Sequence, residues 1–200
     1  MAYYDAWLAR KGSIDLAWFG YRTMKSPMDM RMYQEILTET KPDLVIECGT
    51  ASGGSSRYLA SLFDLLGRGE VVTIDIKARP GQPNHPRINR LIGSSVDPAI
   101  LAEVLRRATG RRTMVILDSD HAATHVSAEL EAYRRLVSPG CYLIVEDTNV
   151  NGHPVVPDHG PGPMEAVEAF LPGAPEFAVD RDRERFMLTL NPRGYLRRVD

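Results

Sequence analysis

The chain has 200 residues, 44% of them apolar, and its 26 acidic and 24 basic residues leave a formal net charge of -2 at pH 7. This size suits one domain with a sizeable core, and a charge balance without a basic block argues against a nucleic-acid partner. No apolar run reaches the roughly 20 residues that a membrane helix requires, and the N-terminus has no signal-peptide pattern, so we expect a cytoplasmic protein without membrane contact.

Strand-like and helical segments alternate from residue 26 onward. In the first helix, predicted at 26–40, Met28, Met32 and Ile36 recur at helical spacing. The following segments predict, in chain order, a strand at 44–48, a helix at 55–66, strands at 70–76 and 87–92, a helix at 98–109, a strand at 114–117, a helix at 124–136, a strand at 141–145 and a helix at 164–171. Apolar strands separated by helices predict a doubly wound, mostly parallel α/β fold.

Three further segments complete the predicted single domain at 1–200. Residues 1–24 are expected to form a cap that covers the pocket or packs on a second subunit, because they carry the aromatic residues Tyr3, Tyr4, Trp7, Trp18 and Phe19. The Gly- and Pro-rich stretch 148–163 is long enough to be a substrate-covering loop. Residues 176–180 and 185–190 flank a charged turn and predict an antiparallel hairpin at the sheet edge.

The first strand is joined to its helix by a turn that contains Gly49, Gly53 and Gly54. Glycines let the backbone approach a ligand, and the helix N-terminus offers unpaired N–H groups. Asp75, about 26 residues after Gly49, can accept hydrogen bonds from ribose hydroxyls. The spacing differs from a dinucleotide fingerprint, and Glu47 would repel a pyrophosphate but suits a cationic sulfonium. The pattern favours S-adenosylmethionine over NAD, with a tight turn that binds no ligand as the alternative.

Two acidic clusters end strands that such a sheet places side by side: Asp118 with Asp120, and Glu146 with Asp147. Converging carboxylates are the ligands of a hard cation such as Mg²⁺. His121 is within reach of a hydroxyl bound to that metal, and histidine exchanges protons near neutral pH. We predict a magnesium site with His121 as general base. The alternative is a solvated rim of acidic helix caps.

Two further polar residues, Ser95 and His125, are weaker candidates for the site. Ser95 lies in the small-residue segment 93–97 after the third strand and could line an adenine pocket, although a helix cap explains that segment equally well. His125 follows His121 by one helical turn and could support it. A position on the helix surface is the simpler interpretation.

Five of these segments resemble a known family. Residues 25–28, 44–55, 72–75, 117–121 and 142–163 are similar to the cephalosporin hydroxylase family, which includes rhamnosyl O-methyltransferases. The chain is more distantly similar to catechol O-methyltransferase, and the resemblance extends over residues 20–198. It implies a class I, Rossmann-like methyltransferase fold.

The resemblance also implies roles for individual residues. It places around S-adenosylmethionine the set Glu47, Gly49, Thr50, Ser55, Asp75, Ser95 and Asp118. It assigns Mg²⁺ to Asp118, Glu146 and Asp147, with Asp120 able to replace Asp118, and it makes His121 the base. Ala51 stands where many methyltransferases have a glycine. The short N-terminal extension leaves a homo-oligomer as an open expectation.

The combined prediction is a magnesium-dependent O-methyltransferase that acts on a hydroxyl of a sugar or another natural product. Two alternatives belong to other classes: an oxidative tailoring hydroxylase and a non-catalytic scaffold that binds S-adenosylmethionine. The first would need an iron site with two histidines and one carboxylate, and the sequence does not present a persuasive one.

Overall fold

The computed structural model describes residues 16–200, so Tyr3, Tyr4 and Trp7 of the predicted cap lie outside the described residues. The described chain begins with a two-stranded antiparallel ribbon, β1 (Ala17–Trp18) and β2 (Tyr21–Arg22). Trp18 packs edge-on against Tyr58, with 4.9 Å between the ring centroids. The ribbon is thereby attached to the helical layer that covers the main sheet.

The part of the chain that the structure describes contributes seven strands to the main sheet. In chain order they are β3 (Leu44–Cys48), β4 (Glu70–Asp75), β5 (Ile88–Ile92), β6 (Thr113–Leu117), β7 (Tyr142–Val145), β8 (Phe177–Val179) and β9 (Tyr195–Arg198). Their spatial order is β5-β4-β3-β6-β7-β9-β8. The strands β5, β4, β3, β6 and β7 pair in parallel, whereas β9 is antiparallel to both of its neighbours.

Within residues 16–200, α1 (Pro27–Thr40) precedes the main sheet, and four more α-helices connect its strands: α2 (Gly54–Leu66), α3 (Pro98–Ala108), α4 (Ala123–Tyr133) and α5 (Pro163–Phe170). Every residue of β3 and β6 is buried, as expected for central strands with helices on both faces. The predicted doubly wound α/β fold is therefore confirmed. No helix among residues 16–200 is long and apolar enough to cross a bilayer.

Strand order reverses between β3 and β6, which is where open α/β sheets bind their ligands. From β3 the chain winds outward through β4 to β5, and from β6 it winds the other way to β7. The carboxyl ends of these strands carry Glu47, Asp75, Asp118 and Glu146 within or just after them. The topology thus gathers the predicted site residues along one edge of the sheet.

The C-terminal antiparallel pairing is confirmed, but the predicted position of its second strand is wrong. The partner of β8 is β9, and residues 185–190 are not a strand. The buried carboxylate of Asp29 accepts a hydrogen bond from the backbone N–H of Leu190 at 2.9 Å and another from the hydroxyl of Thr189. These contacts hold the segment against α1, so the sheet is completed only by the residues that follow.

Candidate active site

A cleft of about 600 Å³ opens at the carboxyl ends of the parallel strands. Polar side chains that follow β4, β5, β6 and β7 lie along it, whereas the predicted Glu47 and Glu146 are buried and do not line it. It is lined by Arg22, Met24, Gly49, Ala51, Ile74, Asp75, Ile76, Lys77, Arg79, Gly93, Ser94, Ser95, Asp118, Ser119, Asp120, His121, His125 and Asp147.

The turn after β3 brings two strand ends into close approach. Gly49 has a φ of 102°, and a Cβ at this position would lie 1.8 Å from the carbonyl oxygen of Asp118. Only glycine can therefore occupy the position. Thr50 is buried, with its hydroxyl oxygen 2.7 Å from that of Thr73. Ser55 lies half-buried in the first turn of α2.

Glu47 is a buried carboxylate inside β3. It accepts hydrogen bonds from the hydroxyls of Thr73, at 2.7 Å, and Ser56. Its Oε1 atom is buried and has no hydrogen-bond partner among the described residues. Burial raises the pKa of Glu47, against the opposing charge of Lys25. An unpartnered acceptor next to a close-approach turn fits a ligand that donates hydrogen bonds or carries positive charge.

Asp75 connects the end of β4 to the glycine turn. Its Oδ2 accepts a hydrogen bond from the backbone N–H of Ala51 at 2.8 Å, and its Oδ1 accepts one from the backbone N–H of Lys77 at 3.0 Å. A carboxylate has further lone pairs beyond these two. Asp75 can therefore accept hydrogen bonds from a ligand in the cleft while it holds the turn.

Asp118, His121 and Asp147 form a compact acidic group. One potential ligand atom from each lies within 4.8 Å of the other two, and His121 Nε2 is 3.3 Å from Asp147 Oδ2. Burial and the charge of Asp118 raise the pKa of Asp147 to about 6, against the opposing effect of His121. Crowded carboxylates of this kind suit a hard cation. Asp147 also has a φ of 53°, an uncommon conformation for a non-glycine residue.

The backbone at Asp147 is fixed by the C-terminal segment, because its N–H donates a hydrogen bond to Asn191 Oδ1 at 3.0 Å. Residues outside the regular elements that adopt strained conformations are concentrated at functional sites. The geometry here turns the chain sharply between Glu146 and Thr148. As a result the two neighbouring carboxylates have different surroundings.

Glu146 is buried and is bound by side chains that precede or belong to α1. Its Oε1 lies 2.6 Å from Lys25 Nζ and also accepts a hydrogen bond from the hydroxyl of Tyr33. Lys25 contacts Asp118 as well, so one buried ammonium bridges the two carboxylates. Burial acts to lower the pKa of Lys25, but the charges of Asp118 and Glu146 outweigh burial and raise it.

Asp120 is exposed and lies at the edge of the cleft. Its Oδ1 accepts a hydrogen bond from the backbone N–H of Ala122, two residues further on, at 2.8 Å, as in an Asx turn. Asp118, in contrast, is in the group with His121 and Asp147. The geometry therefore separates the two aspartates that the sequence left as alternatives.

Ser95 and His125 meet on another wall of the cleft, where the distance from Ser95 Oγ to His125 Nε2 is 3.2 Å. The capping role in this segment falls to Asp97, whose Oδ1 accepts a hydrogen bond from Ala99 N at 2.8 Å. Ser95 is thus free of the capping role. Both Ser95 and His125 contact Glu129, a buried residue of α4.

Sequence reasoning missed Lys25, Tyr33 and Glu129. Lys25 lies in the segment 25–28 that carries the family resemblance, which was the one available signal. Nothing in the local pattern distinguishes a buried lysine or glutamate from an exposed one on an amphipathic helix. Their partners come from strand ends far along the chain.

The sequence model of a family described as Rhamnosyl O-methyltransferase/CmcI matches residues 10–199. A rhamnosyl O-methyltransferase from Mycobacterium tuberculosis is 42% identical over 187 residues, which cover 90% of this chain and 76% of the relative.

Solved structures share the fold. A CmcI structure with Mg and S-adenosylmethionine superposes with a TM-score of 0.71 at 21% identity, over 92% of this chain and 77% of that one. The MycE methyltransferase from the mycinamycin biosynthetic pathway, in complex with Mg, S-adenosylhomocysteine and mycinamycin VI, superposes with a TM-score of 0.57 at 24% identity, over 73% and 42%. The sheet described above is therefore the class I methyltransferase fold.

Proposed function

Because the chain belongs to the rhamnosyl O-methyltransferase/CmcI family, we propose that it transfers a methyl group from S-adenosylmethionine to a hydroxyl of a sugar-containing small molecule. The single observation that carries this proposal is the position of Asp118, His121 and Asp147 beside the glycine turn. One cleft then holds both a nucleotide-type turn and an acidic group. We further propose that the protein is cytoplasmic and can form a homo-oligomer.

Three features in or next to the cleft fit the methyl donor. Glu47, buried within β3 and not itself lining the cleft, supplies negative charge for a cationic donor, and Gly49 permits close backbone approach. Asp75 has the acceptor capacity for ribose hydroxyls. The remaining proposed contacts are Thr50, Ser55, Ser95 and Asp118.

The acidic group fits a divalent cation such as Mg²⁺. Asp118 and Asp147 would hold it, because their carboxylates converge with His121 at the cleft, whereas Glu146 is buried and does not line the cleft. Glu146 would support the site through Lys25 and Tyr33 instead of binding the cation directly. Asp120 would remain at the rim, where it holds the turn before α4.

When bound, S-adenosylmethionine supplies an electrophilic methyl group and the cation supplies a Lewis acid that makes an acceptor hydroxyl easier to deprotonate. His121 removes the hydroxyl proton and holds it at Nε2, where Asp147 Oδ2 at 3.3 Å stabilises the resulting imidazolium. Lys25 balances the negative charge of Asp118 and Glu146 throughout. The glycine turn fixes the donor so that donor and acceptor meet in line.

The acceptor side of the site is formed by the loop 148–163. Asn151 Nδ2 and His153 Nε2 both contact Glu165 Oε1, at 2.8 and 2.9 Å, and the carbonyl of Pro161 accepts a hydrogen bond from Ala123 N at 3.0 Å. The loop is therefore tied to α4 and α5 close to His121. Its polar side chains suit a sugar hydroxyl, and the rhamnosyl O-methyltransferase relatives support a rhamnosyl acceptor.

The hydroxylase alternative receives less support from the structure. The acidic group contains one imidazole and two carboxylates, whereas the common iron site of oxygenases has two imidazoles and one carboxylate. This donor set favours a harder cation. Iron-dependent oxygen consumption in the presence of an acceptor would favour the hydroxylase over the methyltransferase.

The proposal is tested by incubating the purified chain with S-adenosylmethionine, Mg²⁺ and a panel of rhamnosides. We expect two products, S-adenosylhomocysteine and an acceptor heavier by one methylene group. EDTA should abolish the formation of both, and added Mg²⁺ should restore it. Binding of the donor without turnover on any hydroxyl in a broad panel would instead support a non-catalytic scaffold.

A further inference from the structure

Glu129 is a fully buried carboxylate that the proposed methyl transfer does not use. Its Oε1 accepts hydrogen bonds from Ser95 Oγ at 2.5 Å and from Ser119 Oγ at 2.6 Å. His125 Nε2 lies 3.4 Å from the same oxygen. The other oxygen, Oε2, is buried without a hydrogen-bond partner in the part of the chain that the structure describes.

This arrangement determines what the two serines can offer to a ligand. A serine hydroxyl has one hydrogen to donate and two lone pairs, and an ionised carboxylate only accepts. Ser95 and Ser119 both donate their single hydrogen to Glu129. Hydrogen bonding with Glu129 raises the pKa of His125, as expected beside a negative charge. The two hydroxyl oxygens can therefore only accept from anything in the cleft.

The three residues that contact Glu129 line the cleft, whereas Glu129 itself does not. They are Ser95, Ser119 and His125. The backbone of Ser95 is also fixed, because Tyr133 of α4 donates a hydrogen bond from its hydroxyl to the Ser95 carbonyl at 2.7 Å. Ser95 follows β5, which pairs with β4, and β4 ends at Asp75. The wall with the acceptor-only serines is thus the neighbour of the proposed ribose contact.

We propose that Glu129 is a positioning residue that fixes Ser95 and Ser119 as acceptors and so makes the cleft select a base with an exocyclic amino group. The inference rests on the proposed function, which supplies the adenosyl ligand. Adenine presents an amino group that donates hydrogen bonds. Hypoxanthine presents a carbonyl in its place, which would meet two acceptors that cannot turn.

The test is calorimetric titration of S-adenosylhomocysteine and S-inosylhomocysteine into the parent chain and its variants. We expect the parent to prefer the adenosyl compound by about tenfold or more, because the buried hydroxyl oxygen of Ser95 would face a carbonyl in place of a donor, which is costly. In Glu129→Gln the amide can donate to one serine and so release that serine's hydrogen toward the cleft. The preference should then fall below about threefold, mainly through tighter binding of the inosyl compound.

The matched control is Glu131→Gln, the same change on the exposed side of α4, which should keep the parent's preference. Ser95→Ala is a second variant, which leaves the Glu129 carboxylate in place. It should lower the preference for the adenosyl over the inosyl compound by weakening adenosyl binding. Equal binding of the two compounds by the parent, or a parent-like preference in both Glu129→Gln and Ser95→Ala, would overturn the inference while leaving the methyltransferase proposal intact. A parent that binds neither compound would overturn both.

Discussion

Lys25 Nζ lies 2.6 Å from Glu146 Oε1, and both side chains are buried. The same ammonium contacts Asp118, so a cation that belongs to the chain itself already compensates part of the negative charge at the strand ends. This leaves Asp118 and Asp147 beside His121 as the group that a divalent cation would join.

Replacing Lys25 by Met should destabilise the fold, because it leaves the buried Glu146 without its countercharge. Breaking a buried ion pair from one side costs about 3–5 kcal/mol, and the free energy of unfolding measured in urea should fall by about that amount. Lys41→Met, on an exposed residue after α1, is the control and should leave stability nearly unchanged. Parent-like stability of Lys25→Met would show that the pair is not structurally important.

Asp118→Asn and Asp147→Asn should each weaken Mg²⁺ binding, on the order of tenfold or more, because each removes a charged ligand. Asp120→Asn changes a similar carboxylate at the rim of the same cleft and should change the affinity by less than about twofold. Calorimetric titration of Mg²⁺ in the presence of S-adenosylhomocysteine measures all three. Loss of binding in Asp120→Asn with retention in Asp118→Asn would reverse the assignment of the two aspartates.

His121→Ala should lower the rate of methyl transfer by about 10²- to 10⁴-fold, which is the usual contribution of a general base. Donor binding should be unaffected, because His121 acts on the acceptor. Steady-state formation of S-adenosylhomocysteine gives the rate, and calorimetry gives the affinity. His85→Ala, whose ring lies 3.0 Å from Asp64 and outside the cleft, is the control. Turnover by His121→Ala at the parent rate would exclude the proposed base.

Glu165 should make the loop 148–163 sensitive to acid. Burial acts to raise the pKa of Glu165, but hydrogen bonds from His153, Gly162 and Asn151 outweigh burial and lower the pKa from 4.5 to about 2. A lowered folded-state pKa means that the carboxylate stabilises the fold above the unfolded value of 4.5, and that this contribution is lost as pH falls toward about 2.

Thermal unfolding of the parent and of Glu165→Gln checks this pH dependence. The parent should be more stable near neutral pH, and the difference should shrink at about pH 3. Glu168→Gln, on the exposed face of the same helix, should show no comparable change with pH. A stability gap that is constant from neutral to acid pH would contradict the role of Glu165.

The parallel core of the fold could be predicted because each strand is short, apolar and followed by a helix. The last strand could not be placed, because the competing contacts of Leu190 and Thr189 come from Asp29, far away in sequence. A charged turn followed by apolar residues predicts a hairpin. Here the buried carboxylate of Asp29 accepts a hydrogen bond from the backbone N–H of Leu190, which a paired strand would otherwise use.

In the candidate site, too, features that depend on the strand ends could be predicted, and features that depend on contacts distant in sequence could not. Asp118, His121 and Asp147 could be predicted to meet, because they follow two strands that the fold makes neighbours. The different surroundings of Glu146 and Asp147 could not, because they depend on the sharp turn at Asp147 and on a lysine that precedes α1. Glu129 was missed for a similar reason, since helical periodicity does not reveal which acidic residue will be buried.

The central claim is that one cleft binds S-adenosylmethionine beside a divalent cation. Calorimetric titration of S-adenosylmethionine and of NAD into the parent chain, with and without Mg²⁺, tests it most directly. We predict binding of one S-adenosylmethionine per chain, a separate Mg²⁺ site that Asp118→Asn removes, and no binding of NAD. Binding of NAD in place of S-adenosylmethionine, or Mg²⁺ affinity unchanged by Asp118→Asn, would contradict the account.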